Sequence, residues 1–181
     1  EKVAAGFGVL YEPKRIRKKA KADADAMVTL AKAKSKVTQI EKRAIQRLLA
    51  EGQRNQENME SILAQAVPQI EENARPDEID DDWLTNFFEK AKLTSDEEMQ
   101  FIWSRLLAGE VNNPSTFSKR TVNLVAEIEK RDAQLFAKLA NFTWDIGGYK
   151  PLVYDSEDEI YQNSGINFTT LNHLDALGLI R

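Results

Sequence analysis

The chain has no cysteine among its 181 residues and only one histidine, His173. Without cysteine there is no disulfide, no thiolate zinc site and no cysteine nucleophile, as is usual for cytoplasmic proteins. His173 has no second histidine with which to share a metal ion, so we expect it to pack on a helix or lie at the surface. The P-loop, the G-x-S-x-G elbow and zinc-finger spacing are also missing. We therefore expect no enzyme, and we predict no catalytic residue, no metal site and no cofactor.

Long apolar runs are missing as well. No run approaches the roughly 20 residues that a membrane-spanning helix needs. We therefore expect a cytoplasmic protein, or one at the periphery of the membrane. The chain begins at Glu1 and stops at Arg181, where the pattern predicts the start of a strand. We expect both ends to be cut from a longer protein.

Positive charge is scarce outside the N-terminal third. Residues 1–54 carry 14 Lys and Arg against 6 Asp and Glu, whereas residues 55–181 carry 11 against 23, which gives net charges of +8 and −12. Cations at the start of a helix oppose its dipole, so their clustering at residues 14–21 favours a binding role. The partner is either an anionic membrane surface or the phosphate backbone of nucleic acid. The predicted anion-binding residues are Lys14, Arg15, Arg17, Lys18, Lys19 and Lys21.

Residues 14–66 contain no proline and a single glycine, Gly52. Strong helix formers dominate this segment, and its apolar residues recur mostly three and four positions apart. The pattern predicts one long helix or a helical hairpin that breaks near Gly52. An unbroken helix of about 50 residues would span roughly 80 Å, too long to cover its apolar stripe on one small body. We therefore expect a second copy or a partner protein to cover the stripe, as in a coiled coil. The stripe consists of Met27, Leu30, Val37, Ile40, Ala44, Leu48, Met59, Ile62, Leu63 and Ala66.

Residues 69–142 contain the apolar material for a core. Four short amphipathic helices with brief connections predict a helical bundle. Helical spacing places the aromatic residues in the core and leaves Phe101 as the one that faces outward. The first helix runs from about Asp80 to Ala91, and the next three are predicted to be capped by Ser95, Ser118 and Asp132. The predicted buried face of the first helix is Trp83, Leu84, Phe87, Phe88 and Ala91.

The start of the third helix of this core is a minor candidate for anion binding. Lys119 and Arg120 follow the predicted cap Ser118. Free amides at a helix start and two cations together could hold a phosphate. Exposed capping residues with solvated neighbours are the commoner arrangement.

Residues 143–181 differ from the preceding core. The pair Gly147-Gly148 predicts a turn, and we expect a short strand at residues 151–154. Two helices should follow, over residues 157–163 and 168–177. The second helix runs into Leu177-Gly178-Leu179-Ile180, which is typical of a recognition helix that enters a wing. The chain is thus predicted to be all-α, with domains at residues 1–68, 69–142 and 143–181, the last a truncated winged-helix-like module.

Several sequence blocks resemble an uncharacterised bacterial family that is known only as a domain of unknown function. These blocks are Asp81 to Phe88, Ser95 to Gln100, Trp103 to Glu110, Asn113-Pro114, Phe117 to Thr121, Asp158 to Tyr161 and Leu174 to Ile180. The resemblance covers most of the chain and assigns no activity.

The stretch from about Glu72 to Phe142 is similar to the Abi-alpha domain, which is associated with abortive infection and phage resistance. The similarity depends on the acid pair Glu97-Glu98, on Trp103 to Ala108 and on Asp132 to Phe136. It implies a non-enzymatic adaptor or regulatory domain of a bacterial stress or phage-defence system. The alternative is a nucleic-acid-binding regulator that uses the basic helix and the winged-helix-like module together.

Overall fold

The computed structural model describes residues 25–26, 38–145 and 147–180. Most of these residues are helical, which confirms the predicted all-α class. In the described part of the chain the helices are α1 (Gln39–Ala66), α2 (Asp81–Ala91), α3 (Glu97–Asn112), α4 (Lys119–Glu127), α5 (Lys130–Ala140), α6 (Glu159–Gln162) and α7 (Phe168–Ala176). Short 3-10 turns cover Val67–Gln69 and Pro76–Glu78, and strands β1 (Thr143–Asp145) and β2 (Tyr149–Pro151) form a small hairpin.

The predicted long helix is present but shorter than expected. Thr38 has extended backbone with ψ of 160° and caps α1. The Thr38 amide donates to Glu41 Oε2 at 2.8 Å, and the Glu41 amide donates to Thr38 Oγ1 at 3.3 Å. This capping box satisfies two amides at the helix start, so the prediction of an unbroken helix over residues 14–66 is wrong.

The alternative of a hairpin that breaks near Gly52 is also wrong. α1 continues through Gly52 for 28 residues, a length of about 42 Å. It ends at Ala66, immediately before a 3-10 turn that contains Pro68. One glycine costs a helix only about 1 kcal/mol, which the flanking helix formers and the packing of the last turns of α1 outweigh.

The chain divides into two compact units between Ala126 and Glu127. The core of the first unit combines the last turns of α1 with α2, α3 and Val122 of α4. The prediction placed α5 in this core and a domain boundary near residue 142. In the structure the buried Leu139 of α5 instead packs with Ile166 and Leu174 in the second unit.

Aromatic packing dominates the first core. Phe87 stacks on Trp83 at 5.3 Å between ring centroids and meets the edge of Trp103 at 5.2 Å. The whole predicted face of α2 is buried. Phe101 is half exposed, which confirms that it faces outward.

A polar seam joins α1 to α3. Gln100 accepts a hydrogen bond from Ser61 at 2.7 Å and donates to Asn58 at 3.3 Å. Further along, Gln69 donates to Ser104 at 3.0 Å. Because these buried and half-buried groups satisfy one another, they fix the register of α1 and of the 3-10 turn that follows it on α3. The C-terminal half of α1 therefore belongs to the core of the first unit.

Two predicted helix caps are wrong by a few residues. Asp96, not Ser95, caps α3, because its Oδ1 accepts from the amides of Glu98 and Met99 at 3.1 Å each and its charge suits the helix dipole. Asp132 lies inside α5 and accepts from the Glu129 amide at 3.1 Å. The Ser118 cap of α4 is confirmed, since Ser118 Oγ accepts from the Thr121 amide at 3.2 Å.

The second unit contains α5, the β1–β2 hairpin, α6 and α7. The predicted Gly147-Gly148 turn is confirmed, with φ of 77° and 130°, values that glycine adopts without strain. The strand lies earlier than predicted, at Tyr149–Pro151, because it pairs with Thr143–Asp145 in the register Thr143 to Pro151. The first strand was not predicted. The helix–hairpin–helix–helix order leaves the winged-helix-like module as a proposal.

Candidate functional site

The N-terminal half of α1 exposes a row of large apolar side chains, which we call the outer face. Its members are 71% (Ile40), 36% (Ile45), 53% (Leu48) and 58% (Leu49) exposed. At 3.6 residues per turn, Ile45 and Leu48 fall on the side of α1 that is buried further along. Ile40 and Leu49 lie nine residues apart, on the two flanks of that side. The buried residues further along are Ile62, Leu63 and Ala66, and Glu51, Gly52 and Asn55 separate them from the exposed group. The exposed group has no apolar partner among the described residues.

Three arginines share one side of the same half of α1. Arg43, Arg47 and Arg54 fall together because they are spaced four and seven residues apart. Each is exposed, and none forms an ion pair with a residue in the described ranges. This positive side borders Ile40 and lies across the helix from Ile45 and Leu49.

The predicted cluster Lys14, Arg15, Arg17, Lys18, Lys19 and Lys21 lies outside the described residues. Its role as an anion-binding segment remains a prediction.

Lys119 and Arg120 occupy the first turn of α4, but carboxylates surround the lysine. Lys119 Nζ lies 3.4 Å from Asp80 Oδ1 and 3.7 Å from Asp82 Oδ2. Asp80 Oδ1 also accepts from the Trp83 amide at 2.7 Å. A phosphate at this helix start would meet both carboxylates, so the arrangement disfavours the minor phosphate site.

In the second unit, a carboxylate–histidine pair joins α5 to α7. His173 Nε2 lies 2.6 Å from Asp132 Oδ1. An ionised carboxylate can only accept, so Nε2 carries the hydrogen. The hydrogen bond from His173 lowers the pKa of Asp132 below its ordinary 3.8, against the effect of burial, and the Glu129 amide adds to the decrease. Sequence patterns gave no sign of this pair, because its members are 41 residues apart and meet only through helix packing.

The pair borders a groove of about 440 Å³ that is also lined by Glu127, Arg131, Leu135 and Thr169. The neighbouring hydroxyl of Thr170 donates to the Gly165 carbonyl at 3.1 Å. This hydrogen bond links α5 to α7, in line with the expectation that His173 packs on a helix or lies at the surface.

Buried Glu110 shows what one of the sequence blocks that resemble the uncharacterised family does in the fold. Its two carboxylate oxygens accept from the amides of Ser115 and Phe117, each at 2.7 Å. The ring of Phe117 also covers Gly109, where an added Cβ would lie 2.7 Å from Phe117 Cε2. These residues hold the α3–α4 connection in place, so their role is structural.

Among residues 25–26, 38–145 and 147–180, no three or more His, Asp or Glu side chains are grouped to hold a metal ion. Within the same ranges, no helix has both the length and the apolar character to cross a membrane.

These observations define a helical protein that exposes large apolar side chains along the N-terminal half of α1. A family model described as "Protein of unknown function (DUF2806)" matches residues 42–181. The match covers most of the chain, so the protein belongs to this family, which confirms the resemblance to a domain of unknown function. The comparisons with curated proteins and with solved structures found no match.

Proposed function

We propose that this protein is a non-enzymatic helical adaptor or regulatory domain that binds a partner protein through the outer face of α1. One observation carries the proposal: on the side of α1 that is buried at Ile62 and Leu63, the N-terminal half of the helix exposes Ile45 and Leu48. If this half of the helix faced only water, we would expect polar side chains there in place of the apolar ones. Exposed apolar area of this kind marks interaction sites.

We place this adaptor in a bacterial stress or phage-defence system. The similarity to the Abi-alpha domain supports this context. The similar blocks contain the buried residues Trp103, Leu106 and Leu107, together with Asp132, which is bound to His173. Residues of this kind stabilise the fold and do not form a set of catalytic groups, which suits an adaptor.

The basic cluster at residues 14–21 is proposed to bring the adaptor to an anionic membrane surface, so that it works in the cytoplasm at the membrane periphery. Liposome flotation with anionic lipid and a gel shift over a salt series would assign the partner. We expect flotation, and we expect it to be lost when the six cations are changed to Gln. A shift of nucleic acid without flotation would favour the alternative.

That alternative is a nucleic-acid-binding regulator that uses the basic cluster and the C-terminal unit. The helix–hairpin–helix–helix order of this unit favours it. The charge of the C-terminal unit argues against nucleic-acid binding, because residues 127–181 carry nine Asp and Glu against five Lys and Arg, a net charge of −4. Phosphate binding requires a positive surface, so we rank the adaptor first.

The test of the adaptor is the Leu48→Gln/Leu49→Gln double variant, produced in the cells that normally make the protein. Both side chains are exposed, so helicity and stability should change little. We expect the wild type to migrate in a larger complex on size-exclusion chromatography and the variant to leave it. Ala50→Gln, an exposed position on the side of α1 away from Leu48, serves as the control. Identical migration of the wild type and the double variant would refute the proposal.

A further inference from the structure

A second surface of α1, which we call the arginine side, carries unbalanced positive charge. Its members are Arg43, Arg47 and Arg54. With about 3.6 residues per turn, their side chains leave the helix within an arc of about 40°. Within about 20° of this arc, residues 39–54 add only Ala50 and Ile40, and their nearest carboxylate, that of Glu51, lies at its border. The arginine side therefore presents three cations with no anion between them.

The three guanidinium groups are available to an external anion. Each arginine is exposed, and none forms an ion pair within the part of the chain that the structure describes. Along the helix axis Arg43 and Arg54 are about 17 Å apart, at about 1.5 Å per residue. A guanidinium group binds phosphate through two parallel hydrogen bonds. A straight row of this length can therefore contact several phosphate groups of one surface at the same time.

An apolar neighbour indicates which phosphate-bearing surface fits. Ile40 lies beside Arg47 and is 71% exposed. The headgroup layer of a membrane accommodates an apolar side chain next to cations, whereas the backbone of nucleic acid presents a row of charged phosphates. Single-stranded nucleic acid is commonly bound by aromatic side chains on which the bases stack, and residues 39–54 contain none. The arginine side therefore fits an anionic membrane better than nucleic acid.

Membrane contact at the arginine side is compatible with the proposed adaptor. Ile45 and Leu49 lie across the helix from the arginines. A helix that rests on the membrane with its arginines therefore turns these two side chains away from the lipid, where another protein can reach them. The two opposite sides of α1 can then bind the membrane and the partner protein at once.

From these observations we infer that the arginine side of α1 lies against the phosphate groups of an anionic membrane. The inference rests on the proposed membrane attachment through residues 14–21, and it adds a second contact and an orientation of α1. Phosphatidylserine and other anionic lipids supply the negative charge.

The test is co-sedimentation of the full chain with phosphatidylcholine vesicles that contain or lack phosphatidylserine. We expect binding only when phosphatidylserine is present. The variant Arg43→Gln/Arg47→Gln/Arg54→Gln should bind these vesicles about 100-fold more weakly, because each cation near an anionic leaflet contributes about 1 kcal/mol, or about fivefold in affinity. Replacement of the three arginines by Lys should keep most of the binding, since the attraction depends chiefly on charge.

The matched control removes the same amount of charge elsewhere. Lys90, Lys138 and Lys150 are exposed on α2, α5 and β2. Changing all three to Gln should alter vesicle binding by less than about threefold, because salt screens charges that lie away from the contact. Circular dichroism should show the same helix content in every variant.

A labelling experiment tests the orientation of α1. The chain has no cysteine, so Ala50→Cys or Ile45→Cys takes an environment-sensitive fluorophore at that position alone. Ala50 lies beside the arginines, Ile45 lies across the helix, and both are exposed. We expect anionic vesicles to increase the emission from position 50 and to leave that from position 45 unchanged. Equal increases, or a larger one at position 45, would overturn the inference.

Further outcomes separate this inference from the proposed function. If the three-arginine variant binds vesicles like the wild type, the inference is wrong, but the proposed attachment survives when changing the six cations of residues 14–21 still abolishes binding. If the wild type does not bind anionic vesicles, both fail. If the three-arginine variant loses affinity for an oligonucleotide in a gel shift and not for vesicles, the arginine side binds nucleic acid and the inference is overturned.

Discussion

The buried carboxylate of Glu110 offers the sharpest stability prediction. Glu110 is 2% exposed, and its two oxygens accept from the Ser115 and Phe117 amides at 2.7 Å each. Hydrogen bonds to a charged acceptor contribute about 1.5–3 kcal/mol each. Glu110→Gln keeps one oxygen and turns a donor toward the other amide. The variant therefore loses one bond and leaves a buried amide unpaired, a cost of about 3 kcal/mol.

Urea unfolding followed by tryptophan emission measures this cost, because Trp83 and Trp103 are buried in the same unit. Glu72→Gln, a change at an exposed carboxylate, is the matched control and should shift the free energy of unfolding by less than about 0.5 kcal/mol. If Glu110→Gln were as mild as the control, the two amide bonds would not hold the α3–α4 connection as described.

Three further predictions follow from single residues. Folding lowers the pKa of Asp132 below 3.8, so its stabilising contribution is complete above that pH and is lost as the pH falls through the folded-state value. Asp132→Asn should cost the second unit about 1 kcal/mol at neutral pH and nothing in acid, measured by hydrogen exchange in α5 and α7; equal exchange at neutral pH would contradict this. Trp83→Phe should lower the free energy of unfolding, measured in urea, by about 1 kcal/mol less than Trp103→Phe does. The reason is that the Trp83 indole N–H has no acceptor in the described part of the chain, whereas Trp103 donates to Thr94 at 3.0 Å. The reverse order would refute that assignment. Gly52→Ala should stabilise α1 by up to about 1 kcal/mol, since the added Cβ meets no described atom within 4 Å; a lower melting temperature would mean that this position is covered.

Sequence patterns correctly predicted the elements that depend on interactions between residues close together in the chain. The five apolar residues of α2 recur at helical spacing and are all buried. Gly147-Gly148 forms the expected turn, because both residues adopt positive φ. Both features depend on neighbours within a few positions, so a sequence pattern contains enough information.

The start of α1 was misjudged although a local signal was present. Helix formers on both sides of Thr38 favoured a longer helix, but the pair Thr38 and Glu41 forms a capping box that fixes the helix start. The Ser/Thr-x-x-Glu spacing could have revealed it. Cooperative capping outweighed the small differences in propensity.

Long-range pairing could not be predicted. Nothing near Asp132 indicates that it meets His173, and nothing in α5 shows that Leu139 packs with Ile166 and Leu174 rather than with α3. An amphipathic helix specifies that it has a buried face but not which element covers it. For α1, the sequence predicted an apolar stripe too long for one small body to cover, but not which part is exposed; the structure packs Ile62 and Leu63 and exposes Leu48.

The most direct test of the account is site-specific photo-crosslinking in cells, with a benzophenone amino acid at position 48 or, as a control, at the exposed position 50 on the other side of α1. We expect position 48 to give one discrete adduct with a second protein, and position 50 to give none. Absence of an adduct at position 48, or equal labelling from both positions, would contradict the claim that the outer face of α1 binds a partner.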